Sequence, residues 1–134
     1  MDRATAQALA EGYLAYLARG DMSIMSTFSA DFYDNVSGQR GLQIFDVVRG
    51  WLQESFADRR ADLHLVTHTD DTVMAWYTVH GQHVGGGFPR LRGLPVKGNA
   101  ITWPQVHVFR LEQGLVVEHW AVRDDVALLD SVTA

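Results

Sequence analysis

The sequence predicts an α+β fold: a curved antiparallel sheet with helices packed on its concave face, enclosing a pocket. Two observations carry this. Apolar residues recur at helical spacing up to Phe56 and switch to alternation after Asp58-Arg59-Arg60. The second half then reads as hairpin-connected strands, and helices followed by a run of strands give segregated layers around one core.

Asp2 can cap a helix running to about Arg19, with Ala6, Leu9, Ala10, Tyr13, Tyr16 and Leu17 on one apolar face. Gly20 ends it, and Asp21 can cap a short helix over residues 22–28. Residues 32–36 read as a short strand closed by Ser37-Gly38, and residues 42–56 as a helix burying Ile44, Phe45, Val48, Trp51 and Leu52. Leu63, Leu65 and Thr67 alternate with His64, Val66 and His68 on a strand, and Thr69-Asp70-Asp71 turns the chain into a longer one over residues 73–84. Gly85-Gly86-Gly87, Pro89, Gly93 and Pro95 mark an irregular loop, and a connection of that length in a small domain often rims a site. Asp124 or Asp125 opens a short last helix. All 134 residues read as a single domain.

Residues 101–111 and 115–122 are rich in Val, Ile, Trp and Phe and flank Glu112-Gln113-Gly114, which reads as a three-residue hairpin loop with Gly114 left-handed. That register sets His107 opposite His119 and Gln105 opposite Ala121. Alternation puts Trp103, Gln105, His107, Phe109, Val117, His119 and Ala121 on one face, and Val106, Val108, Val116, Trp120 and Val122 on the other. A face mixing an indole, an amide and imidazoles with apolar neighbours suits the wall of a small-molecule pocket. The opposite face is apolar enough to expect a homodimer through it.

Composition removes several classes of function. The chain is 47% hydrophobic and 20% charged, which is a folded composition, and its net charge of −5 without a basic patch argues against nucleic acid or an anionic membrane as partner. Absence of cysteine excludes disulfides, thiolate metal sites and cysteine nucleophiles. No apolar run reaches spanning length, and Met1-Asp2-Arg3 leads directly into a helical pattern, so the expectation is a soluble cytoplasmic protein. Six histidines invite a metal reading. His64 and His68 are too far apart on one strand face for a single ion, His80 and His83 point oppositely, and no HExxH is present, so no metal is expected.

His80-Gly81-Gln82-His83-Val84-Gly85, then Gln105-Val106-His107-Val108-Phe109-Arg110, then Gly114 followed by Glu118-His119-Trp120 resemble the SnoaL-like polyketide cyclases. These lie within the superfamily of the nuclear-transport-factor-2-like cone fold, and the resemblance covers essentially the whole chain. It implies a cone-shaped sheet, a hydrophobic, polyketide-derived small-molecule substrate, and aldol ring closure without metal or organic cofactor. It also implies a pocket histidine on the first hairpin strand, matching His107, and an acid/base Asp on the second strand at the position of Ala121. A methyl group cannot move a proton, so another residue does that work or the chemistry differs. Relatives acting in ring hydroxylation, the ketosteroid isomerases and a non-catalytic binding module are the alternatives. Tyr13 resembles the isomerases' helix tyrosine, and Asp34 falls near their base.

His107 is the first catalytic candidate, because a neutral imidazole can take a proton from carbon next to a carbonyl. The plainer reading is a core histidine satisfied by Gln105 or a backbone group. Asp34 is the second, with burial expected to raise its pKa; the alternative is a solvated turn residue beside Asn35 and Ser37. Tyr13 could donate to a developing oxyanion, and His83 and His119 could orient substrate hydroxyls. Trp51, Trp103 and Phe109 could wall a polycyclic ligand or serve as ordinary core. Gln105 and Asn35 complete the expected substrate-binding set.

Overall fold

The computed structural model describes residues 1–134. In chain order it contains α1 (Arg3–Arg19), β1 (Phe28–Asp34), β2 (Gln39–Arg40), α2 (Gln43–Ser55), β3 (Phe56–His68), β4 (Thr72–His83), β5 (Ala100–Glu112), β6 (Leu115–Arg123) and α3 (Asp125–Thr133). Local signals act where they stand. Asp2 accepts the Thr5 amide at 2.8 Å to start α1, and Gly20, with φ of 67°, ends it. Asp21 caps a 3-10 turn, Met22–Thr27, in place of the expected short α-helix. Asp124 caps α3 through the Ala127 amide at 2.9 Å.

The strands form one six-stranded sheet in the order β2-β1-β6-β5-β4-β3. The α+β cone is as expected, with one exception to its antiparallel character: β1 runs parallel to β6. β1 arrives from the helical half and lands on the open edge of β6, where burial of Phe28 and Phe32 holds it. Register shifts in the β3–β4 ladder after Ala57 and after Leu63, and in β5–β6 between Arg110 and Leu111, bend the sheet. Asp58, with φ of 52°, lies in the first of these.

The central hairpin differs from its expected register. Gln113 and Gly114 both take positive φ, 51° and 79°, and Glu112 pairs with Leu115, so the loop has two residues instead of three. With the bulge beyond it, His107 faces Ala121, Phe109 faces His119 and Gln105 faces Arg123. The total displacement is two residues, an even number, so His119 and Ala121 keep their predicted side. Only next to the bulge do faces exchange: Val116, not Val117, is buried.

α1 lies across the concave face and is tied there by Tyr77, whose hydroxyl donates to the Ala10 carbonyl at 2.7 Å. Tyr16 on α1 donates to the Phe45 carbonyl at 2.7 Å and so holds α2 beside it. The loop after β4 crosses the C-terminal end of α2 at close quarters. A methyl at Gly85 would strike the Glu54 carbonyl oxygen, and one at Gly87 would come within 2.6 Å of the Glu54 side chain. Tyr77→Phe deletes a buried bond between helix and sheet with little change in shape. It should lower stability by about 1–2 kcal/mol in urea titrations, with an unchanged native spectrum.

Candidate active site

The concave face, α1 and α2 enclose a narrow apolar cavity of about 60 Å³. Its walls include Tyr13 and Leu17 from α1, Ile44, Phe45, Val48 and Leu52 from α2, and Trp103, Gln105, His107, His119, Ala121 and Arg123 from the hairpin. Phe88 closes one side from the long loop, and Asp34 and Val36 close the β1 end. This is less room than a fused-ring ligand needs, since pockets for drug-sized ligands hold on the order of 300–1,000 Å³. The cavity as it stands admits one edge of such a molecule, and the α2 side chains are the wall that must yield for more.

The polar side chains in this apolar surface form one hydrogen-bonded chain across three strands. Asp34 Oδ1 lies 2.9 Å from His119 Nδ1, His119 Nε2 lies 2.9 Å from His107 Nδ1, and His107 Nε2 lies 2.7 Å from Gln105 Oε1. All of these residues are buried. β1 supplies the carboxylate because its parallel pairing puts Asp34 beside His119. The histidines meet because the hairpin sets them diagonally, with ring centroids 5.1 Å apart and planes 16° from parallel.

The geometry restricts where protons can be. Asp34, ionised, accepts from His119 Nδ1–H. If the chain carries no extra proton, His119 Nε2 accepts from His107 Nδ1–H, His107 Nε2 bears a lone pair, and Gln105 must turn its amide N–H toward it. If the chain carries one more proton, His107 Nε2–H donates to Gln105 Oε1 and His119 Nε2–H donates to His107 Nδ1. The positive charge then sits on His119 against Asp34. The two states differ by one proton and a half-turn of an amide, and protons enter or leave at His107 Nε2.

Burial above all, with the proximity of His119 and of the Arg123 guanidinium, holds His107 well below the usual histidine pKa, so its neutral form dominates. Asp34 departs from expectation. Burial does push its pKa up, but the bond and charge of His119, the Ser37 hydroxyl at 2.8 Å and the Val36 amide outweigh it. Its carboxyl titrates below the ordinary value and remains a carboxylate. Tyr13, between the rings of His107 (4.7 Å) and His119 (5.7 Å), has no hydrogen-bond partner for its hydroxyl. Burial raises its pKa well above the usual value, so it stays a donor. No three His, Asp or Glu side chains are disposed to hold a metal ion.

Tyr13, Asp34, Trp103, Gln105, His107 and His119 therefore meet at the cavity, whereas other candidates do not reach its wall. Phe109 lies behind the chain, its ring stacked on His119 at 5.3 Å. Asn35 is just past β1 and donates to Glu118 Oε2 at 3.1 Å and the His119 carbonyl at 3.2 Å. Trp51 is half-buried on the outer flank of α2, against Phe88. His83 is fully buried at the far end of β4, paired across the ladder with Phe56, and both its ring nitrogens lack partners. Arg123 was missed by pattern reading, although its parity with His119 and Ala121 points it inward.

The model of the SnoaL-like polyketide cyclases matches residues 7–132. The chain belongs to the SnoaL-like polyketide cyclase family. Solved structures agree. TsrD from Streptomyces laurentii superposes with a TM-score of 0.83 at 25% identity, over 98% of this chain and 97% of that one. AclR from Streptomyces galilaeus, proposed to be a hydroxylase, gives 0.78 at 26% identity over 98% of each chain. A SnoaL-like cyclase candidate from Jannaschia Sp. CCS1 gives 0.78 at 20% identity, over 100% of this chain and 98% of that one, and speaks for the fold alone. No characterised protein sequence matches significantly. In this member of the SnoaL-like family Ala121 lies in the cavity wall, paired across the hairpin with His107.

The depressed pKa of His107 makes stability pH-dependent with a definite sign. Above the ordinary value of 6.5 residue 107 is neutral in both the folded and the unfolded chain. Below it residue 107 takes up a proton in the unfolded chain that it refuses in the folded one, so its contribution to stability falls as pH falls through this window. Urea midpoints for the wild type should drop between neutral pH and about pH 5.5, and drop less in His107→Phe. Parallel pH dependences in the two proteins would contradict this. Asp34 adds a second loss only at lower pH, below the ordinary carboxylate value of 3.8.

Proposed function

We propose that the protein is a cofactor-independent enzyme of polyketide metabolism that removes a proton from carbon next to a carbonyl, leading to aldol ring closure or isomerisation. The observation supporting this reading most directly is the buried chain Asp34–His119–His107–Gln105 in the wall of an apolar cavity, where the Gln105 amide that caps His107 Nε2 must turn aside for the base to meet substrate. His107 Nε2 acts as the base. The proton it receives moves charge along the chain until the cation rests on His119 beside Asp34, where a carboxylate stabilises it. The carboxylate missing at residue 121 is in this way supplied from β1, through an imidazole. Asp34 orients and neutralises; it does not take the proton from substrate. Tyr13 donates its free hydroxyl to the enolate oxygen as charge develops there, and Trp103 contributes apolar wall beside the substrate.

A second reading is assistance to ring hydroxylation. It is favoured by Ala121 standing where the cyclases carry their acid/base Asp, together with the likeness to AclR at 26% identity. Both readings need substrate enolisation, and product analysis by mass spectrometry separates them: gain of an oxygen atom marks hydroxylation. A cytoplasmic location fits either.

The base chemistry can be tested without the natural substrate. Hydrogen–deuterium exchange at the α-carbon of an aryl β-keto ester, followed by NMR, should be accelerated by the wild type. His107→Ala should slow it by about 10²–10⁴-fold, and Asp34→Asn by a smaller factor. Unchanged exchange in both variants would remove these roles.

We also propose a homodimer through the convex face of the sheet. Val122 is 76% exposed there, Leu65 58% and Trp76 47%, with half-buried Val106, Val108 and Trp120 alongside. Light scattering should give twice the chain mass, falling to the chain mass in Val122→Glu; a monomeric wild type would refute this interface.

A further inference from the structure

Arg123 has an unusual environment for an arginine. It lines the cavity at the end away from Asp34, and its guanidinium lies over the ring of Phe88 at 5.3 Å and that of Trp103 at 5.5 Å. The other charged side chain in the wall, Asp34, is engaged by His119 and Ser37. Asp125 is the acid nearest to Trp103, and it is engaged too: one oxygen accepts Trp103 Nε1–H at 3.2 Å and the other pairs with Arg90 at 3.2 Å. The Arg123 side chain makes neither a hydrogen bond nor an ion pair, although its guanidinium lies over two aromatic faces. A planar fork of N–H donors, pre-oriented and unpaired in an apolar wall, matches a carboxylate, which it can bind through two parallel bonds.

We propose that Arg123 is a specificity residue that binds a carboxylate of the substrate, so that the ligands of this cavity are hydrophobic aromatic acids and not their neutral counterparts. The register supports a productive arrangement. Arg123 pairs across the hairpin with Gln105, and Gln105 caps the Nε2 of His107. A ring held at its carboxylate by Arg123 therefore extends along the hairpin wall toward Gln105, the residue next to the base. Phe88 and Trp103 exclude water from one side of the ion pair, which strengthens it relative to a surface contact. The cavity's small volume adds to the selectivity, because a ligand that enters only partly relies on one strong anchor.

The proposal rests on the reading of the cavity as a substrate site but not on base chemistry within it, and binding measurements keep the two apart. Salicylate and salicylamide are near equal in size and differ in charge. Calorimetric or NMR titration of the wild type should show salicylate binding roughly ten- to a hundredfold more tightly. Arg123→Gln should abolish that preference by weakening salicylate far more than salicylamide, and Arg123→Lys should keep part of it. His107→Ala, which removes the base and keeps Arg123, should still bind salicylate more tightly than salicylamide even as α-carbon exchange is lost. If the wild type shows no preference for the acid, whether both probes bind alike or neither binds in the millimolar range, the assignment is overturned. It is equally overturned if Arg123→Gln keeps the preference with its fold intact by circular dichroism.

Discussion

The parallel pairing of β1 with β6 is the contact on which the site depends. It is an edge association with little sequence signature, yet it carries Asp34 to within 2.9 Å of His119. Without it His119 would be a buried imidazole with one unanswered nitrogen, and His107 would lose the partner that fixes its tautomer. The carboxylate is held in turn by the Ser37 hydroxyl and the Val36 amide, so the turn after β1 belongs to the same construction. Buried polar networks of this kind are costly unless each member is satisfied. Here the satisfaction runs unbroken from Asp34 to Gln105, and its single adjustable joint is the Gln105 amide.

The aromatic side chains of the interior divide into those that build and those that remain available. Tyr16 and Tyr77 spend their hydroxyls on backbone carbonyls and so hold α2 and α1 over the sheet. Tyr13 lies between them, packed on both rings, with its hydroxyl unspent. Its position is thus imposed by neighbours whose own hydrogen bonds are structural. Trp103 shows a similar economy: its indole N–H is fixed by Asp125 and its face is covered by Arg123. Rigid placement of groups by supporting contacts is what a site of this kind requires.

The cavity is tighter than the sheet pattern alone would suggest. At about 60 Å³ it is bounded on one side by side chains of α2, a helix anchored near its start by Tyr16 and near its end by the close passage of Gly85 and Gly87. Those anchors leave Ile44, Val48 and Leu52 as the side chains that larger ligands must displace. Charge in the cavity wall is unevenly answered: Asp34 is paired with histidine, and Arg123 has no ionic partner.

Much of the architecture was legible in the sequence because it follows from local rules: caps at Asp2 and Asp124, left-handed Gly20 and Gly114, and face alternation along β5; the change of period comes earlier than the expected boundary after Asp58-Arg59-Arg60, since the strand begins at Phe56. The inward direction of His107, Gln105 and His119 was legible for the same reason, since an even error in register leaves faces intact. What the sequence could not settle was set by contacts between distant segments. The bulge that exchanged Val116 for Val117, the parallel docking of β1, the packing of Arg123 on Phe88 and Trp103, and the exclusion of Asn35, Trp51, Phe109 and His83 from the cavity wall all arise from tertiary packing. So does the lowered pKa of Asp34, which burial alone would have raised. Periodicity and capping are properties of neighbouring residues and are written in the chain; which carboxylate meets which imidazole depends on how strands far apart in sequence are brought together.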